Sequence, residues 1–366
     1  MSTARFFDTR AAYLLFATAT TEKTAVAERL GRELAAIDPR PPGIHVFDAG
    51  MGDASVLTQV MREMHTIFPR IPWTVVGKEI SVEDVRQALG RLPDRLYEHP
   101  EMVFVVTNMR FEEAAALCPK DADDLVWRDV ALEGSSSHDF AAQIRGLMGD
   151  IAADWEVATS PVTGNPVYVR PSVLVLYRQD HEFLLRSLIP RPDSPMAPYD
   201  LVIAAQPYRA AAPLERKVGT VIAPLARHLA PGGRLIGIHS TGRDPGMEII
   251  RRVWPDEAPF GHLASDVVEE ARRQLDDTAF EFEVPDGAEG RIRYEMHAMP
   301  SESAEHIGTS SILATWNAAA YVAQIDEVRL TEAMRSGAWE MATRAVMETH
   351  PRVWFEDELY RIIRRS

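Results

Sequence analysis

The chain has 366 residues, 46% of them hydrophobic and 25% charged, as in ordinary soluble globular proteins. Its formal net charge of −15 argues against a protein that holds nucleic acid through bulk positive surface. The single cysteine, Cys118, excludes an internal disulfide framework and a cysteine-rich metal site. No apolar run approaches the ~20 residues of a membrane span, and the first residues lack the apolar core of a signal peptide. We therefore expect a soluble cytoplasmic protein with neither nucleic acid nor membrane as a partner.

The predicted elements alternate between helix and strand along most of the chain. Residues 1–40 predict helix, because Val26, Leu30 and Leu34 recur at helical spacing, and the proline-rich stretch 39–43 ends it. Apolar runs then predict five strands separated by helical patterns, at about 44–48, 73–79, 102–108, 199–205 and 233–239. A late pair, at about 278–284 and 291–298, is expected to close the sheet at an edge. The alternation predicts an α/β fold with a doubly wound, mostly parallel seven-stranded sheet.

Residues 119–198 interrupt this alternation, since a short helix and loop would suffice between the strands that they separate. The segment contains a helical pattern at about 138–153 and an apparent hairpin, with strands at 172–177 and 182–185. We interpret it as an inserted cap. The tail, from about 300 to 366, predicts further helices that form a C-terminal extension.

A glycine turn at residues 46–55 is the most informative stretch of the chain. An apolar strand ends in Asp48, the turn Asp48-Ala49-Gly50-Met51-Gly52 follows, and a helical pattern begins at once. Strand, glycine turn and helix together bring backbone N–H groups close to a nucleotide-like ligand. A second strand ends in Glu79, where a carboxylate can accept both hydroxyls of a ribose.

Two ligands fit this turn in principle, a dinucleotide such as NAD(P) or S-adenosylmethionine. Asp48 and Asp53 would repel the pyrophosphate of a dinucleotide. The same acids suit the amino group and the sulfonium of S-adenosylmethionine, which carries no phosphate. The charges therefore favour the methyl donor.

The acid-x-Gly-x-Gly turn at Asp48 resembles motif I of the class I S-adenosylmethionine-dependent methyltransferases. The later segments Asp200-Leu201-Val202-Ile203-Ala204 and Leu229-Ala230-Pro231-Gly232-Gly233-Arg234-Leu235 also look like motifs of this family. The resemblance implies a Rossmann-like cofactor domain at 1–118 and 199–300, with the insertion 119–198 as a substrate segment and 301–366 as a helical extension. By the same resemblance the cofactor would contact the following residues: Asp48, Ala49, Gly50, Met51 and Gly52 at the methionine end, Glu79 at the ribose, and Thr107 and Asn108 near the adenine.

Other polar residues are candidates for contact with a substrate. Gln206 and Tyr208 follow a predicted strand where the family places substrate-facing residues, although a helix-start turn with a buried tyrosine explains them equally. His181 could handle a proton if the insertion folds over the pocket, or it could lie exposed in a hairpin turn. His239 suits either a substrate contact or a structural hydrogen bond. Residues 16–23 either cover the cofactor, as in many family members, or simply form a capped helix.

We therefore predict a methyltransferase that acts on a nitrogen or oxygen of a small-molecule acceptor. The alternatives are an NAD(P)-dependent oxidoreductase and a non-catalytic cofactor-binding scaffold, and a homodimer is possible in each case. Serines 135–137 precede a helical pattern, where capping explains them better than nucleophilic catalysis. The 11 histidines show no spacing typical of metal ligands, so no metal site is expected.

Overall fold

The computed structural model describes residues 10–161, 165–276, 278–297, 308–350 and 352–366. The parts of the predictions that concern residues 1–9 and 298–307 lie outside these ranges. The strands are as follows: β1 Ile44–Asp48, β2 Trp73–Lys78, β3 Met102–Thr107, β4 Val126–Leu132, β5 Val157–Thr159, β6 Pro166–Tyr168, β7 Ser172–Arg178, β8 Tyr199–Ala205, β9 Leu229–Ser240, β10 Phe280–Glu283, β11 Arg291–Glu295 and β12 Trp354–Arg364.

The helices connect the strands or cover the sheet, and many of them present an apolar stripe to it. They are as follows: α1 Arg10–Ala19, α2 Glu22–Leu34, α3 Ser55–Ile67, α4 Val82–Glu98, α5 Phe111–Ala116, α6 Ser137–Gly146, α7 Met148–Asp154, α8 Glu182–Leu185, α9 Leu214–Lys217, α10 Ala223–Arg227, α11 Pro245–Val253, α12 Ala264–Gln274, α13 Gly287–Gly290, α14 Gly308–Val322, α15 Glu327–Ser336 and α16 Ala338–Thr349. A π-helical segment, Val218–Ile222, joins α9 to α10.

Ten strands form one sheet in the order β10-β12-β9-β8-β1-β2-β3-β7-β4, and β11 also pairs with β12. Strands β3, β2, β1, β8 and β9 are parallel neighbours, and β1 and β3 are buried along their whole length. Separate apolar cores cover the two faces of the sheet. The predicted α/β class and the doubly wound, mostly parallel sheet are therefore confirmed.

The chain reverses its direction of winding between β1 and β8. From β1 it adds β2 and then β3 on one side, whereas β8 and β9 lie on the other side. The carboxyl ends of β1 and β8 therefore flank a crevice that no crossover connection covers. In open α/β sheets this is the position at which ligands bind.

The sheet is larger than the seven strands predicted, because two segments expected elsewhere join it. Ser172–Arg178 does not form a hairpin with residues 182–185, which are helical. The strand lies between β3 and β4 and is buried throughout, antiparallel to β3 and parallel to β4. Its apolar run is what a strand buried on both faces requires, and periodicity does not identify the partners of such a strand. The predicted domain boundaries at 118 and 198 thus fall within a continuous sheet, and as functional units they stay a prediction.

The C-terminal tail is not wholly helical. After α14, α15 and α16, strand β12 inserts between β9 and β10 and pairs antiparallel with both. Its burial alternates less clearly than in a surface strand, since both faces are covered. A third apolar core holds α11, α14 and α16 against this end of the sheet. No helix among the described residues is both long and apolar enough to cross a membrane.

A buried ion cluster ties α2 to the last strand. Glu33, on α2, accepts two hydrogen bonds from Arg361 of β12, at 2.9 and 3.0 Å, and one from Arg29 at 2.6 Å. Burial alone raises the pKa of Glu33, but the hydrogen bonds from Arg361 and Arg29 outweigh burial and hold the pKa below its ordinary value. The bidentate geometry fixes the direction of both partners.

Replacing Glu33 by Gln is expected to lower the free energy of unfolding by about 3 kcal/mol, because Arg29, Arg234 and Arg361 each lose a buried ion-pair partner. Since the pKa of Glu33 is lowered in the folded state, its contribution is present above the ordinary glutamate pKa and is lost as the pH falls through the lowered value. Urea unfolding at neutral pH measures the change. Glu28→Gln, at an exposed position of the same helix, serves as the control and should leave stability unchanged. Equal stability of both variants would contradict this role for the cluster.

Candidate functional site

A cleft of about 500 Å³ opens at the carboxyl ends of β1, β2 and β8. The glycine turn after β1, the loop after β2 and the loop after β8 form its floor. Residues of α1, the start of α2 and the end of α14 form its cover. The lining side chains and glycines that carry the chemistry are Tyr13, Phe16, Glu22, Lys23, Asp48, Gly50, Met51, Gly52, Asp53, Glu79, Asp84, Gln206, Tyr208, Arg209, Ser240, Tyr294 and Tyr321. The cleft therefore coincides with the crevice that the strand order creates.

The backbone N–H groups of the glycine turn already have acceptors. The N–H of Gly50 donates to Oδ1 of Asp48 at 3.2 Å, and the N–H of Gly52 donates to Oε2 of Glu79 at 3.0 Å. Gly52 has φ +54°, a conformation that glycine adopts without steric cost. The turn consequently presents carboxylates to the cleft where a dinucleotide site presents free N–H donors.

Glu79 is held at both carboxylate oxygens. Its Oε1 accepts from the N–H of Ser81 at 2.8 Å, while Oε2 accepts from Gly52. The indole of Trp155 donates to the carbonyl oxygen of Glu79 at 2.9 Å, so the segment 119–198 buttresses this loop from behind. Because a carboxylate has about four acceptor positions, Glu79 can still accept further hydrogen bonds from a ligand.

Asp48 lies buried at the end of β1. Burial raises the pKa of its carboxyl to about 7, and nearby Glu79 adds to this, whereas the N–H of Gly50 and the charge of Lys23 oppose it. Its charge is therefore sensitive to pH near neutrality. A cationic group placed beside it would favour the ionised form.

A phenol from the first helix is anchored over the turn. The hydroxyl of Tyr13 donates to Oδ1 of Asp53 at 2.9 Å. Oδ2 of the same carboxylate accepts from Ser55 at 2.6 Å and from Arg91 at 2.9 Å. These bonds fix α1 against the glycine turn and α4.

Four aromatic rings form one wall of the cleft, which we call the aromatic wall: Tyr13, Phe16, Tyr294 and Tyr321. The rings of Phe16 and Tyr321 stack with their centroids 4.8 Å apart. Tyr13 lies 6.2 Å from Tyr321, and Tyr294 lies 6.2 Å from Phe16 in an edge-to-face arrangement. The wall therefore continues without a break along one side of the cleft.

Gln206 sits at the end of β8 with a strained backbone, φ +50°. Its amide nitrogen donates to Oγ of Ser240 at 2.9 Å and to Oδ1 of Asp357 at 3.3 Å. Since these bonds use both N–H donors, the amide oxygen is the group that remains for a ligand. Gln206 therefore lies in the cleft, as predicted, and a buried acid behind it fixes its side chain.

Tyr208 begins a chain of three hydrogen-bonded side chains. Its hydroxyl lies 3.0 Å from Nδ1 of His239, and Nε2 of His239 lies 2.9 Å from Oε1 of Glu358. Burial raises the pKa of Glu358, but His239 and the N–H of Ala264 outweigh burial and hold the pKa below its ordinary value, so Glu358 is a carboxylate. A carboxylate needs a donor, which places the proton on Nε2 and leaves Nδ1 to accept from Tyr208. The chain can therefore carry a proton from the cleft to a buried imidazole.

The structure does not bring His181 to the cleft. Tyr177, near the end of β7, pairs with Val103 near the start of β3, because the two strands are antiparallel. The turn that follows β7 therefore lies at the amino-terminal ends of the parallel strands, whereas the cleft lies at their carboxyl ends. There His181 lies 3.0 Å from Oδ1 of Asp180. His181 is therefore not among the residues that line the cleft, and a catalytic role for it stays a prediction without support from this site.

Thr107, Asn108 and Ala49 are buried but are not among the residues that line the cleft. Asn108 ties the inserted segment to β3, because its side chain donates to the carbonyl oxygen of Arg170 at 3.0 Å and accepts from Ser172 at 2.8 Å. Thr107 accepts the N–H of Glu79 on its carbonyl oxygen, and Ala49 donates to Ile203 of β8. These three residues support the floor of the cleft from behind. None of them lines the cleft, and their predicted contacts with the cofactor stay predictions.

Most residues that cover the cleft were not predicted from the sequence. Of residues 16–23, the structure places Phe16, Glu22 and Lys23 in the cleft, which agrees with the interpretation of this segment as a cover. Tyr13, Tyr294 and Tyr321 carried no local signal, because they come from three elements far apart in the chain. None of the described residues of 119–198 lines the cleft, so the cover that the insertion was expected to supply comes from α1 and α14.

No family model and no curated protein matches the chain. Among solved structures, a loganic acid methyltransferase with SAH shares 10% identity at a TM-score of 0.37 and covers 94% of this chain and 92% of its own. A geranyl diphosphate methyltransferase, in complex with GPP and sinefungin, shares 12% identity at a TM-score of 0.32, with coverages of 94% and 78%. Phosphoethanolamine N-methyltransferase 2 from Haemonchus contortus, in complex with S-adenosyl-L-methionine, shares 10% identity at a TM-score of 0.30, and the match covers 93% of this chain and 52% of that one. All three are methyltransferases, but at these values a function for this chain depends on its own residues.

Two glycines of the turn should respond differently to alanine. Gly52→Ala is expected to lower the free energy of unfolding by about 1–2 kcal/mol, because its φ of +54° is strained for alanine and the added Cβ would lie 3.0 Å from Oη of Tyr13. Gly50→Ala meets nothing within 4 Å and should change stability by less than about 1 kcal/mol. Urea unfolding of both variants decides this, and a larger loss for Gly50→Ala would contradict the geometry.

Proposed function

We propose that the protein binds S-adenosylmethionine in this cleft and transfers its methyl group to a nitrogen or oxygen of a small-molecule acceptor. The observation that carries the proposal is the pairing of the turn N–H groups with Asp48 and Glu79. At the turn, a pyrophosphate would meet two carboxylates and N–H groups that already have acceptors, whereas the amino group and sulfonium of S-adenosylmethionine are cations that carboxylates attract. The oxidoreductase alternative is thereby disfavoured.

The ribose and the methionine end of the cofactor each have a matching group in the cleft. The ribose hydroxyls can donate to Glu79, which stands at the end of β2 and keeps acceptor capacity. The methionine end would lie against the turn at Asp48, where a cationic amino group offsets a buried charge. The sulfonium would then face the aromatic wall and the loop of Gln206 and Tyr208.

The proposed reaction is an in-line displacement at the methyl carbon. An acceptor lone pair forms the new bond to carbon while the carbon–sulfur bond breaks, and its electron pair returns to sulfur as a neutral thioether. Since sulfur is already an activated leaving group, holding the two reactants in line supplies most of the rate. An acceptor that bears a proton passes it to Tyr208, whose own proton moves to Nδ1 of His239 beside Glu358.

Calorimetric titration with S-adenosylhomocysteine, NAD and NADP tests the cofactor. We expect S-adenosylhomocysteine to bind and the dinucleotides not to bind. Glu79→Gln and Asp48→Asn should each weaken S-adenosylhomocysteine binding about ten- to a hundredfold, because a charged hydrogen-bonded contact is lost. Glu83→Gln, at an exposed position of α4, is the matched control and should bind like the wild type. Binding of a dinucleotide alone would overturn the proposal, and binding of S-adenosylhomocysteine without methylation of any amine or hydroxyl acceptor would favour a scaffold.

The affinity for S-adenosylhomocysteine should depend on pH through Asp48. Burial raises the pKa of this carboxyl to about 7, so below that value it is increasingly protonated and loses its attraction for the ligand amino group. Affinity should therefore fall by up to about tenfold per unit as the pH decreases from about 7. Asp48→Asn should flatten the profile, and an equally steep profile in that variant would assign the titration to another group.

A further inference from the structure

The aromatic wall faces an acidic floor across the cleft. Among the described residues that line it, five are acidic, namely Glu22, Asp48, Asp53, Glu79 and Asp84, and two are basic, Lys23 and Arg209. Aromatic ring faces and carboxylates share one preference, because both attract cations and neither attracts anions. Asp48 and Glu79 are assigned above to the cofactor, and the wall extends beyond them toward Ser240.

One side-chain cation already occupies this environment. Nζ of Lys23 lies 5.1 Å from the centroid of the Tyr13 ring and 3.1 Å from Oε2 of Glu22. Burial lowers the pKa of Lys23, but Glu22 and the phenols of Tyr13 and Tyr321 outweigh burial and hold its pKa above the ordinary value. The wall and Glu22 therefore stabilise a partly buried ammonium group.

A second acid lies at this end of the cleft. Asp357 is fully buried directly behind Gln206 and Ser240, and both of these residues line the cleft. Its Oδ2 has no hydrogen-bond partner among the described residues. Burial raises the pKa of Asp357 to about 8, and the charge of Glu22 adds to this, so the carboxyl is largely protonated at neutral pH when no cation is bound. A cation bound in front of Asp357 would favour its ionised form.

We propose that the methyl acceptor is an amine that binds in its cationic form, with its ammonium or methylammonium group between the aromatic wall and the acids Glu22 and Asp357. The inference rests on the proposed methyltransferase function and specifies its substrate class. It also selects nitrogen over oxygen as the methylated atom. A neutral or anionic acceptor would have no cation–π attraction to the wall and no electrostatic attraction to the acids.

The amine must lose one proton before its lone pair can attack. That proton passes to the hydroxyl oxygen of Tyr208, whose proton moves to Nδ1 of His239, while Glu358 stabilises the resulting imidazolium. The nitrogen then bonds to the methyl carbon as the carbon–sulfur bond breaks. The products are a methylated ammonium, a neutral thioether and one proton held on His239, so charge is conserved and no further reactant is needed.

A pair of probes that differ in charge alone tests the inference. Choline and its uncharged carbon isostere, 3,3-dimethyl-1-butanol, are titrated into the protein in the presence of saturating S-adenosylhomocysteine, which cannot donate a methyl group. We expect choline to bind about tenfold or more tightly than the isostere, because cation–π contacts and carboxylates act on the charge only. Equal affinities, or no binding of choline up to about 10 mM, would overturn the cationic acceptor. If S-adenosylhomocysteine still binds, the proposed methyltransferase function survives that result; if it does not bind, the proposed function itself fails.

Two substitutions of Tyr321 distinguish the contribution of its aromatic ring from that of its hydroxyl. Tyr321→Phe should keep the preference for choline within about threefold, whereas Tyr321→Leu should lose most of it. Tyr97→Leu, on the exposed face of α4, is the control and should bind choline like the wild type. Should Tyr321→Leu fail to fold, Glu22→Gln provides the same test from the acidic side and should reduce the preference about tenfold. A preference that survives the loss of both groups contradicts the site.

Discussion

Two carboxylates accept the N–H groups of the glycine turn, and the proposed choice of ligand depends on this pairing. Asp48 and Glu79 satisfy the amides of Gly50 and Gly52, and by doing so they convert a turn that commonly attracts phosphate into one that attracts cations. The arrangement also keeps Asp48 near its point of ionisation, since burial raises its pKa to about 7. Acidic side chains outnumber basic ones among the described residues that line the cleft, and the ammonium of Lys23 is paired with Glu22.

The cover of the cleft depends on contacts between distant parts of the chain. Tyr13 near the N-terminus reaches Asp53 at the glycine turn, and its ring lies 6.2 Å from Tyr321 at the end of α14. Strand β12 places Asp357 and Glu358 behind the loop after β8, next to Gln206 and His239. The first helices and the last strand are in turn joined by Glu33 and Arg361. Elements from both ends of the sequence thus complete a site whose floor is formed by the loops after β1, β2 and β8.

This division explains how much the sequence could predict. The parallel strands, the glycine turn and Glu79 were predicted because each is specified within a few residues by hydrophobicity, glycine and charge. The partners of Ser172–Arg178 could not be predicted, since a run buried on both faces looks the same beside any strand. The position of His181 could not be predicted for the same reason. The antiparallel direction of β7 places the turn after it at the amino-terminal ends of the parallel strands, away from the cleft. The aromatic wall was not predicted for a different reason, because Tyr13, Tyr294 and Tyr321 come together only through tertiary packing.

The proposed chemistry and the electrostatics of the cleft fit each other at each stage of the reaction. Once the amine has lost its proton, the positive charge lies on sulfur before transfer and on nitrogen after it, so this charge moves only the length of two bonds within one cavity. A wall of aromatic faces and a floor of carboxylates stabilise a cation at either end of that movement, because neither requires a fixed hydrogen-bond direction. The one charge that has to leave is the proton of the acceptor. The hydrogen-bonded side chains Tyr208, His239 and Glu358 carry this proton away from the cleft. On His239, beside the carboxylate of Glu358, the proton no longer competes with the methyl group for the nitrogen lone pair.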